Sequence, residues 1–135
     1  MKTAIYPGTF DPLSFGHLDI IQRSHQFFEQ LIIAVAIGHH KTALFSLDER
    51  VQLMSEQMQE FKNIKVCGFE GLLIDVIKAQ GVDVILRGAR HGNDFEQELK
   101  LAIANKQLSN IDTLFLGPSI HTQFVSSTLI REIFK

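Results

Sequence analysis

The amino-acid sequence predicts an α/β protein built on one doubly wound parallel sheet of five strands, with helices on both faces. Short apolar runs alternate with longer stretches in which apolar residues recur at helical spacing. The second apolar run, LIIAVAIG, is hydrophobic without interruption, as expected for a strand covered on both faces. The 135 residues contain no internal repeat, low-complexity tract or shift in composition, so we expect a single domain over 1–135.

The first part of the chain predicts two strands and two helices. TAIYP is a short apolar run, and HLDIIQRSHQFFEQ then places Leu18, Ile21 and Phe28 at helical intervals. LIIAVAIG follows as the second strand. Ser46 and Glu49 have the spacing of a capping box, which predicts the start of a second helix that continues to about residue 60.

The rest of the chain continues this alternation. IKVCGF predicts a strand, LLIDVIKAQG a helix closed by Gly81, and VDVILRG a fourth strand. DFEQELKLAIANKQL is the strongest helical pattern, with Phe95, Leu99, Ala102 and Ile103 on one stripe. IDTLFLG predicts the fifth strand, and SSTLIREIF predicts a last helix with serines placed to cap it. Because such alternation gives parallel sheets with right-handed crossovers, we expect a Rossmann-like fold.

Composition excludes several classes of protein. Hydrophobic residues make up 45% and charged residues 21%, which is ordinary for a soluble globular protein. The net charge of −2 gives no broad electrostatic surface for nucleic acid or an anionic membrane. No apolar run reaches the ~20 residues of a membrane span, and we expect no signal peptide. Cys67 is the only cysteine, which excludes an internal disulfide and a cysteine-based zinc cluster, so we expect a cytoplasmic location.

Unusual residues follow four of the predicted strands. Segment 7–17, PGTFDPLSFGH, follows the first strand, and GHHK follows the second. RGAR follows the fourth strand, and GPSIHTQFVSST follows the fifth. In doubly wound sheets ligands bind at the carboxyl ends of the strands, near the point where the strand order reverses. The sequence therefore predicts a functional site at that edge of the sheet.

The first of these clusters suits an anion but has a simpler explanation. Gly8 and Thr9 can offer backbone N–H groups and a hydroxyl to phosphate oxygens, with a helix dipole aimed the same way. A tight turn between strand and helix would explain the glycines equally well. His17 lies in the first turn of the predicted helix, where the dipole favours neutral imidazole whereas a bound polyphosphate favours the cation.

The segments after the second, fourth and fifth predicted strands contain basic residues and hydroxyl groups. Arg87 and Arg90 flank a glycine, an arrangement that suits bidentate phosphate contacts. The alternative is a pair of salt bridges from these arginines to Asp94, Glu96 or Glu98, which we favour somewhat less than phosphate. Lys41 by itself would be a solvated loop cation. The serines and threonine at 126–128 can cap a helix, and a capped N-terminus with three hydroxyls is also an anion site.

The crevice predicted by these residues favours transfer of a phosphoryl or nucleotidyl group. No nucleophile–base pair is evident, and the sequence has neither a P-loop motif nor G-x-G-x-x-G. A basic, hydroxyl-lined and glycine-rich crevice can align two phosphate-bearing reactants and offset their charge, which is most of what such a transfer requires.

Three segments resemble a known family. GTFDPLSFGH is similar to the G-T-F-D-P-x-(T/H)-x-G-H signature of the nucleotidyltransferase superfamily, and FVSSTLIRE is similar to its (I/V)-S-S-(S/T)-x-(I/V)-(R/K) motif. LRGARHGNDFEQELKLAIANKQL resembles the R-G-x-R…D-F-E-x-E-x-x-x-A-x-x-N segment of phosphopantetheine adenylyltransferases, which act at the penultimate step of coenzyme A biosynthesis. Gln97 and Thr122 stand where the family usually has aromatic residues, and family members usually continue through a further helical segment.

The resemblance implies adenylyl transfer from ATP to 4′-phosphopantetheine, giving dephospho-coenzyme A and pyrophosphate. Thr9 would contact both substrates, Phe10 would lie at ATP, and His17 would stabilise the transferring phosphate. Lys41, Leu73 and Arg87 would hold 4′-phosphopantetheine. His17, Lys41 and Arg90 would be the catalytic residues. The other ATP-binding positions would be Gly88, Ala89, Arg90, Glu98, Thr122, Gln123, Phe124, Val125, Ser126, Ser127 and Thr128.

The same resemblance implies a magnesium ion, held mainly by ATP phosphates without protein ligands, and a homohexamer. The acceptor is already anionic near neutral pH, so no general base is required. Two alternatives remain at this stage. One is another nucleotidyltransferase of the superfamily, with nicotinamide mononucleotide or glycerol phosphate as acceptor, and the other is a nucleotide-binding protein without catalysis.

Overall fold

The computed structural model describes residues 2–38, 43–89 and 92–117, and these form five strands that alternate with helices. The elements are β1 (Thr3–Gly8), α1 (Phe15–Ser24), a 3-10 turn (His25–Phe27), β2 (Gln30–Ala36), α2 (Leu47–Gln57), β3 (Ile64–Phe69), α3 (Leu73–Gln80), β4 (Val84–Gly88), α4 (Gly92–Ser109) and β5 (Asp112–Leu116). The last helix predicted from SSTLIREIF lies outside the described residues, so the extent of the domain over 1–135 stays a prediction.

The strands form one sheet in the order β3-β2-β1-β4-β5, and every neighbouring pair is parallel. The chain builds the sheet outwards from β1 in one direction and then returns to add β4 and β5 on the other side. The order therefore reverses between β1 and β4. This architecture confirms the predicted five-stranded α/β sheet.

β1 and β4 separate towards their carboxyl ends. β1 pairs with β2 from Thr3 through Gly8, but it pairs with β4 only at Ala4 and Ile5. Beyond Ile5 the carbonyl of Pro7 accepts a hydrogen bond from Arg87 Nη1. Proline has no N–H, so it leaves no backbone donor unpaired in this gap. The separation of the two strands opens a crevice at the reversal point of the sheet.

Hydrophobic clusters cover both faces of the sheet. Ala4 and Tyr6 of β1 pack with residues of α1 and α2 on one face, among them Ile21 and Met54. Ile5 lies on the opposite face, in a cluster that contains Ile77 of α3. Successive residues of a strand point to opposite faces, so β1 contributes to both clusters. Burial on two sides confirms the interpretation of the continuous apolar run in β2.

The helix ends follow the predicted caps in two places and differ in others. Ser46 and Glu49 form the capping box of α2, and Gly81 closes α3 in the left-handed conformation at φ 64°. α2 ends at Gln57 instead of about residue 60. The prediction that Phe28 belongs to the first helix is wrong, because α1 ends at Ser24 and Phe28 is extended where the chain turns into β2.

The apolar stripe of α4 is more exposed than its pattern suggests. The helix forms as predicted, yet Phe95, Leu99 and Ile103 keep 37%, 43% and 54% of their surface exposed. In the described part of the chain, no helix combines the length and hydropathy that a membrane span requires.

Candidate active site

A cavity of about 340 Å³ lies at the carboxyl ends of β1 and β4, where the strand order reverses. Its position matches the site predicted from the strand ends. Five segments line it: β1, the loop after β1, α1, the end of β4, and α4. The lining residues are Tyr6, Pro7, Gly8, Thr9, Phe10, His17, Ile20, Arg87, Gly88, Gln97 and Glu98.

The loop after β1 is shaped around the ring of Phe10. Phe10 has a φ of 48°, a backbone conformation that residues other than glycine rarely adopt, and the residue is buried. The ring packs edge-on against Tyr6 and His17, at centroid distances of 5.4 and 4.8 Å. A Cβ on Gly8 would lie 3.1 Å from two atoms of this ring. A side chain at position 8 would therefore crowd the Phe10 ring, and close approach of Gly8 to phosphate stays a prediction.

His17 is held by the N-terminus of α1. Ser14 is the N-cap residue, and its hydroxyl oxygen accepts a hydrogen bond from the His17 backbone N–H at 3.3 Å. The Ser14 backbone N–H donates to Nδ1 of the His17 ring at 3.0 Å. This reciprocal pair is a capping box in which histidine replaces the usual Glu or Gln. The predicted position of His17 in the first helical turn is confirmed, and its ring lines the cavity.

Arg87 is paired with a carboxylate. Its Nε and Nη2 atoms donate to the two carboxylate oxygens of Glu98 at 2.6 and 2.5 Å, and Nη1 donates to the Pro7 carbonyl. Both side chains of the ion pair are partly buried. The sequence allowed either a phosphate contact or a salt bridge for Arg87, and favoured phosphate. The structure contains the salt bridge. The pair joins β4 to α4 in the lining of the cavity, and a contact between Arg87 and phosphate stays a prediction.

The comparisons with known proteins agree with this geometry. A cytidylyltransferase-like family model matches residues 5–133. Phosphopantetheine adenylyltransferase of Desulfitobacterium hafniense is 46% identical over 97% of this chain and 81% of its own length. The enzyme of that name from Actinobacillus succinogenes is 49% identical over 99% of this chain and 84% of its own length. The chain belongs to the phosphopantetheine adenylyltransferase family.

Solved structures support the same fold. The bifunctional NMN adenylyltransferase/ADP ribose pyrophosphatase of Francisella tularensis superposes with a TM-score of 0.66 at 14% identity, over 98% of this chain and 42% of that one. The lipopolysaccharide core biosynthesis protein of Thermoplasma volcanium superposes with a TM-score of 0.60 at 21% identity, over 88% of this chain and 97% of that one. At these identities the likeness concerns the fold alone.

The structure brings together part of the site that phosphopantetheine adenylyltransferases imply. Thr9, Phe10, His17, Arg87, Gly88 and Glu98 line one cavity. Ala89 lies beside it, and its N–H donates to the Leu116 carbonyl at 3.0 Å. Leu73 starts α3, packs against the cluster on the other face of the sheet, and is absent from the cavity lining. Lys41, Arg90 and the stretch 122–128 lie outside the described residues.

Arg50 is a structural component of the site that the sequence analysis missed. It is 3% exposed, and it donates four hydrogen bonds to carbonyls of Thr9, Ala36, Ile37 and Phe45 at 2.6 to 3.1 Å. Among the described residues, no carboxylate lies within ion-pair distance of it. The signal in the sequence was its position four residues before Met54, on the buried face of an amphipathic helix.

A second missed contact fixes the chain that leads into α2. The Asp11 carboxylate accepts hydrogen bonds from the backbone N–H groups of Leu44 and Phe45 at 2.8 and 3.0 Å. Asp11 and Arg50 thus join the loop after β1 to the segment that follows residues 39–42. The F-D-P motif therefore has a structural role beside any ligand contact.

Cys67 lies on β3, apart from the cavity. Burial raises the pKa of its thiol, while Lys65 acts weakly in the opposite direction. The side chain therefore stays a thiol at neutral pH, a form with little nucleophilic character.

Proposed function

We propose that this chain transfers the adenylyl group of ATP to 4′-phosphopantetheine, producing dephospho-coenzyme A and pyrophosphate. The observation that carries the proposal is the identity of 46–49% with enzymes of that name, over nearly the whole chain. The cavity between β1 and β4 supports it, because His17, Thr9 and Arg87 converge there from three different segments.

The reaction is an in-line displacement at phosphorus. An oxygen of the acceptor phosphate forms a bond to the α-phosphorus of ATP, and the bond from that phosphorus to the bridging oxygen breaks. Pyrophosphate leaves with the electron pair. A phosphate monoester is anionic near neutral pH, so the chain has no need to remove a proton from the nucleophile. Its task is to align the two reactants and to stabilise charge in the transition state.

Each group has a proposed place in this alignment. His17 contacts the transferring α-phosphate, and Lys41 with Arg90 offsets its charge. Thr9, Lys41, Leu73 and Arg87 bind 4′-phosphopantetheine. The ATP-binding segments are Gly88–Arg90 and 122–128, together with Phe10 and Glu98. Phe10 lines the cavity although only 3% of the residue is exposed.

Magnesium is proposed to arrive with the nucleotide. Among the described residues, no three His, Cys, Asp or Glu side chains lie together as a metal site. The cavity instead offers a hydroxyl, an imidazole and a guanidinium, a donor set suited to a magnesium–triphosphate complex held by phosphate oxygens. When bound, the ion neutralises part of the phosphate charge.

We also propose a cytoplasmic location and a homohexamer, as the family resemblance implies. Sedimentation equilibrium of the purified chain tests the oligomeric state. A mass of about one chain at micromolar concentration would contradict the hexamer without affecting the proposed reaction.

The proposed reaction is tested with a panel of acceptors. The chain is incubated with ATP and magnesium and with 4′-phosphopantetheine, nicotinamide mononucleotide or glycerol 3-phosphate at equal concentration. We expect dephospho-coenzyme A and pyrophosphate in equal amounts. Preference for either other acceptor would overturn the assignment, and nucleotide binding without any product would indicate a binding protein.

The His17→Ala variant tests the central residue of the site. We expect kcat to fall on the order of 10²–10³-fold, the usual effect of losing one transition-state donor, with nearly unchanged ATP affinity. His25→Ala is the matched control, because His25 lies outside the cavity and contacts Phe61 and Asn63. An unchanged kcat in His17→Ala would remove His17 from the mechanism.

A further inference from the structure

Two polar groups of Ser14 lie within hydrogen-bond distance of one nitrogen of the His17 ring. The Ser14 backbone N–H lies 3.0 Å from Nδ1, and the Ser14 hydroxyl oxygen lies 3.0 Å from the same atom. A backbone N–H can only donate, so Nδ1 must present a lone pair. The hydroxyl already accepts from the His17 N–H, so its own proton can also be directed at Nδ1. Nδ1 therefore carries no proton.

We propose that Ser14 is a positioning residue that keeps His17 neutral, with its single proton on Nε2. On this proposal, which rests on the proposed adenylyl transfer, His17 stabilises the α-phosphate as a neutral hydrogen-bond donor. The alternative is an imidazolium cation, which needs protons on both ring nitrogens. That form would have to break the contact from the Ser14 N–H, because two donors cannot share a hydrogen bond.

Among the residues that the structure describes, the protein charges near His17 give little support to a second proton. The ring lies in the first turn of α1, where the helix dipole is positive, and that turn contains no acidic residue. Tyr6 of β1 and Phe10 present aromatic rings. Arg87 of β4 and Glu98 of α4 line the same cavity but are paired with each other. Asp11, in the preceding loop, is bonded to two backbone N–H groups.

A neutral donor has a catalytic consequence. It places a proton near the phosphate oxygens without bringing a full charge that would also stabilise the ground state of ATP. Binding energy that appears only in the transition state raises kcat, whereas a fixed cation would tighten the bound substrate as well. Activity therefore requires the singly protonated ring, and it falls when His17 takes up a second proton at low pH.

Ser14→Asp is the decisive variant, because it keeps a capping residue for α1 but replaces the hydroxyl donor near Nδ1 with an acceptor. In Ser14→Asp the carboxylate can still cap α1, but it has no proton to donate and places a negative charge beside Nδ1. This change favours the imidazolium. Ser14→Thr is the matched control, because it retains both the hydroxyl and the backbone N–H.

Nitrogen-15 spectra of the ligand-free protein read the tautomer directly. At pH 8 we expect the wild type and Ser14→Thr to show a protonated Nε2 and a bare Nδ1. In Ser14→Asp we expect the doubly protonated ring to persist to higher pH. The acidic limb of the kcat profile should move up by roughly 1–3 pH units in Ser14→Asp, the usual effect of a nearby opposite charge. The acceptor phosphate also titrates in this pH range, but it does so in both variants. The difference between the profiles of Ser14→Asp and Ser14→Thr therefore reports on His17 alone.

Three results would overturn the proposal. They are a proton on Nδ1 in the wild type at pH 8, a kcat of Ser14→Asp at pH 7 at or above that of the wild type, and identical pH profiles for Ser14→Asp and Ser14→Thr. The spectra need no substrate. If the chain formed no dephospho-coenzyme A, the proposed function would fall, and the spectra would still decide the tautomer.

Discussion

Arg23 and Arg87 each bind one carboxylate and one backbone carbonyl, but they lie in different parts of the fold. This difference supports the acceptor-binding role proposed for Arg87. Arg23 pairs with Asp19 and donates to the Gly117 carbonyl. Arg87 pairs with Glu98 and donates to the Pro7 carbonyl. Only Arg87 lines the cavity. Removing either guanidinium leaves a carboxylate and a carbonyl without that donor, so the two substitutions form a matched pair.

Arg87→Ala should weaken binding of 4′-phosphopantetheine more than binding of ATP. Loss of a buried charge contact is expected to cost roughly 2–5 kcal/mol in acceptor affinity. Titration calorimetry on both ligands measures the difference, with Arg23→Ala as the control that should bind both normally. Unchanged acceptor affinity in Arg87→Ala, or an equal loss in Arg23→Ala, would contradict the acceptor role.

The place of a single residue within its helix or strand could be predicted from the sequence where the local apolar pattern determines it. His17 falls in a first helical turn and Arg87 lies near the end of an apolar strand, because the apolar pattern locates the start of α1 and the end of β4. The partner of Arg87 could not be decided in the same way. Phosphate and Glu98 offer the same kind of bidentate acceptor, and only the tertiary position of α4 brings that carboxylate within 2.6 Å of Arg87.

At the scale of elements, Gly88 shows how a glycine predicted to contact ligand also serves packing. A Cβ at Gly88 would lie 2.5 Å from Cδ1 of Ile20, a buried side chain of α1. The absence of a side chain lets α1 approach β4 closely. No single-sequence pattern reveals this, since the contact joins residues 68 positions apart.

Gly88→Ala should therefore destabilise the fold by overpacking, at a cost of about 1–3 kcal/mol. Ile20→Val removes the clashing Cδ1 atom, so the double variant should be more stable than the sum of the two single changes. Urea unfolding of all three variants measures this coupling. Gly117→Ala, directly after the neighbouring strand, is the control, because no atom of the described residues lies within 4 Å of a Cβ there. Strictly additive losses would contradict the contact.

Arg50 connects elements in a different way, through hydrogen bonds to three segments. Arg50→Lys retains the charge but has one nitrogen to reach carbonyls of Thr9, Ala36, Ile37 and Phe45. We expect a loss of about 2–4 kcal/mol in the free energy of unfolding, because buried carbonyls lose their donors. Thermal unfolding tests this against Gln52→Ala, an exposed change in the same helix. A stability equal to that of the control would show that only the charge is needed.

At the scale of the whole molecule, the alternation of elements was predictable and the order of the strands was not. Continuous burial from Leu31 through Val35 matches the apolar pattern of β2. The placement of β1 between β2 and β4, and the separation of β1 from β4 after Ile5, depend on tertiary packing. That separation creates the cavity, so the sequence predicted the edge of the sheet at which the cavity lies, whereas the shape of the cavity depends on tertiary packing.

The central position of β1 and β2 makes a prediction about the stability of the entire sheet. Ile5 and Ile32 are fully buried on strands that pair on both sides, whereas β3 and β5 are the edge strands within the described residues. Amides of β1 and β2 should exchange with solvent only through global unfolding, and those of β5 through local opening.

Binding of ATP should slow the exchange of these central amides. ATP with magnesium, at about 100 times its dissociation constant, should add about 2.7 kcal/mol to the free energy of unfolding and slow exchange roughly 100-fold, with magnesium alone as the control. Hydrogen exchange followed by NMR measures both effects. Central amides that do not respond to ATP, while calorimetry shows binding, would mean that they exchange through openings that leave the site intact.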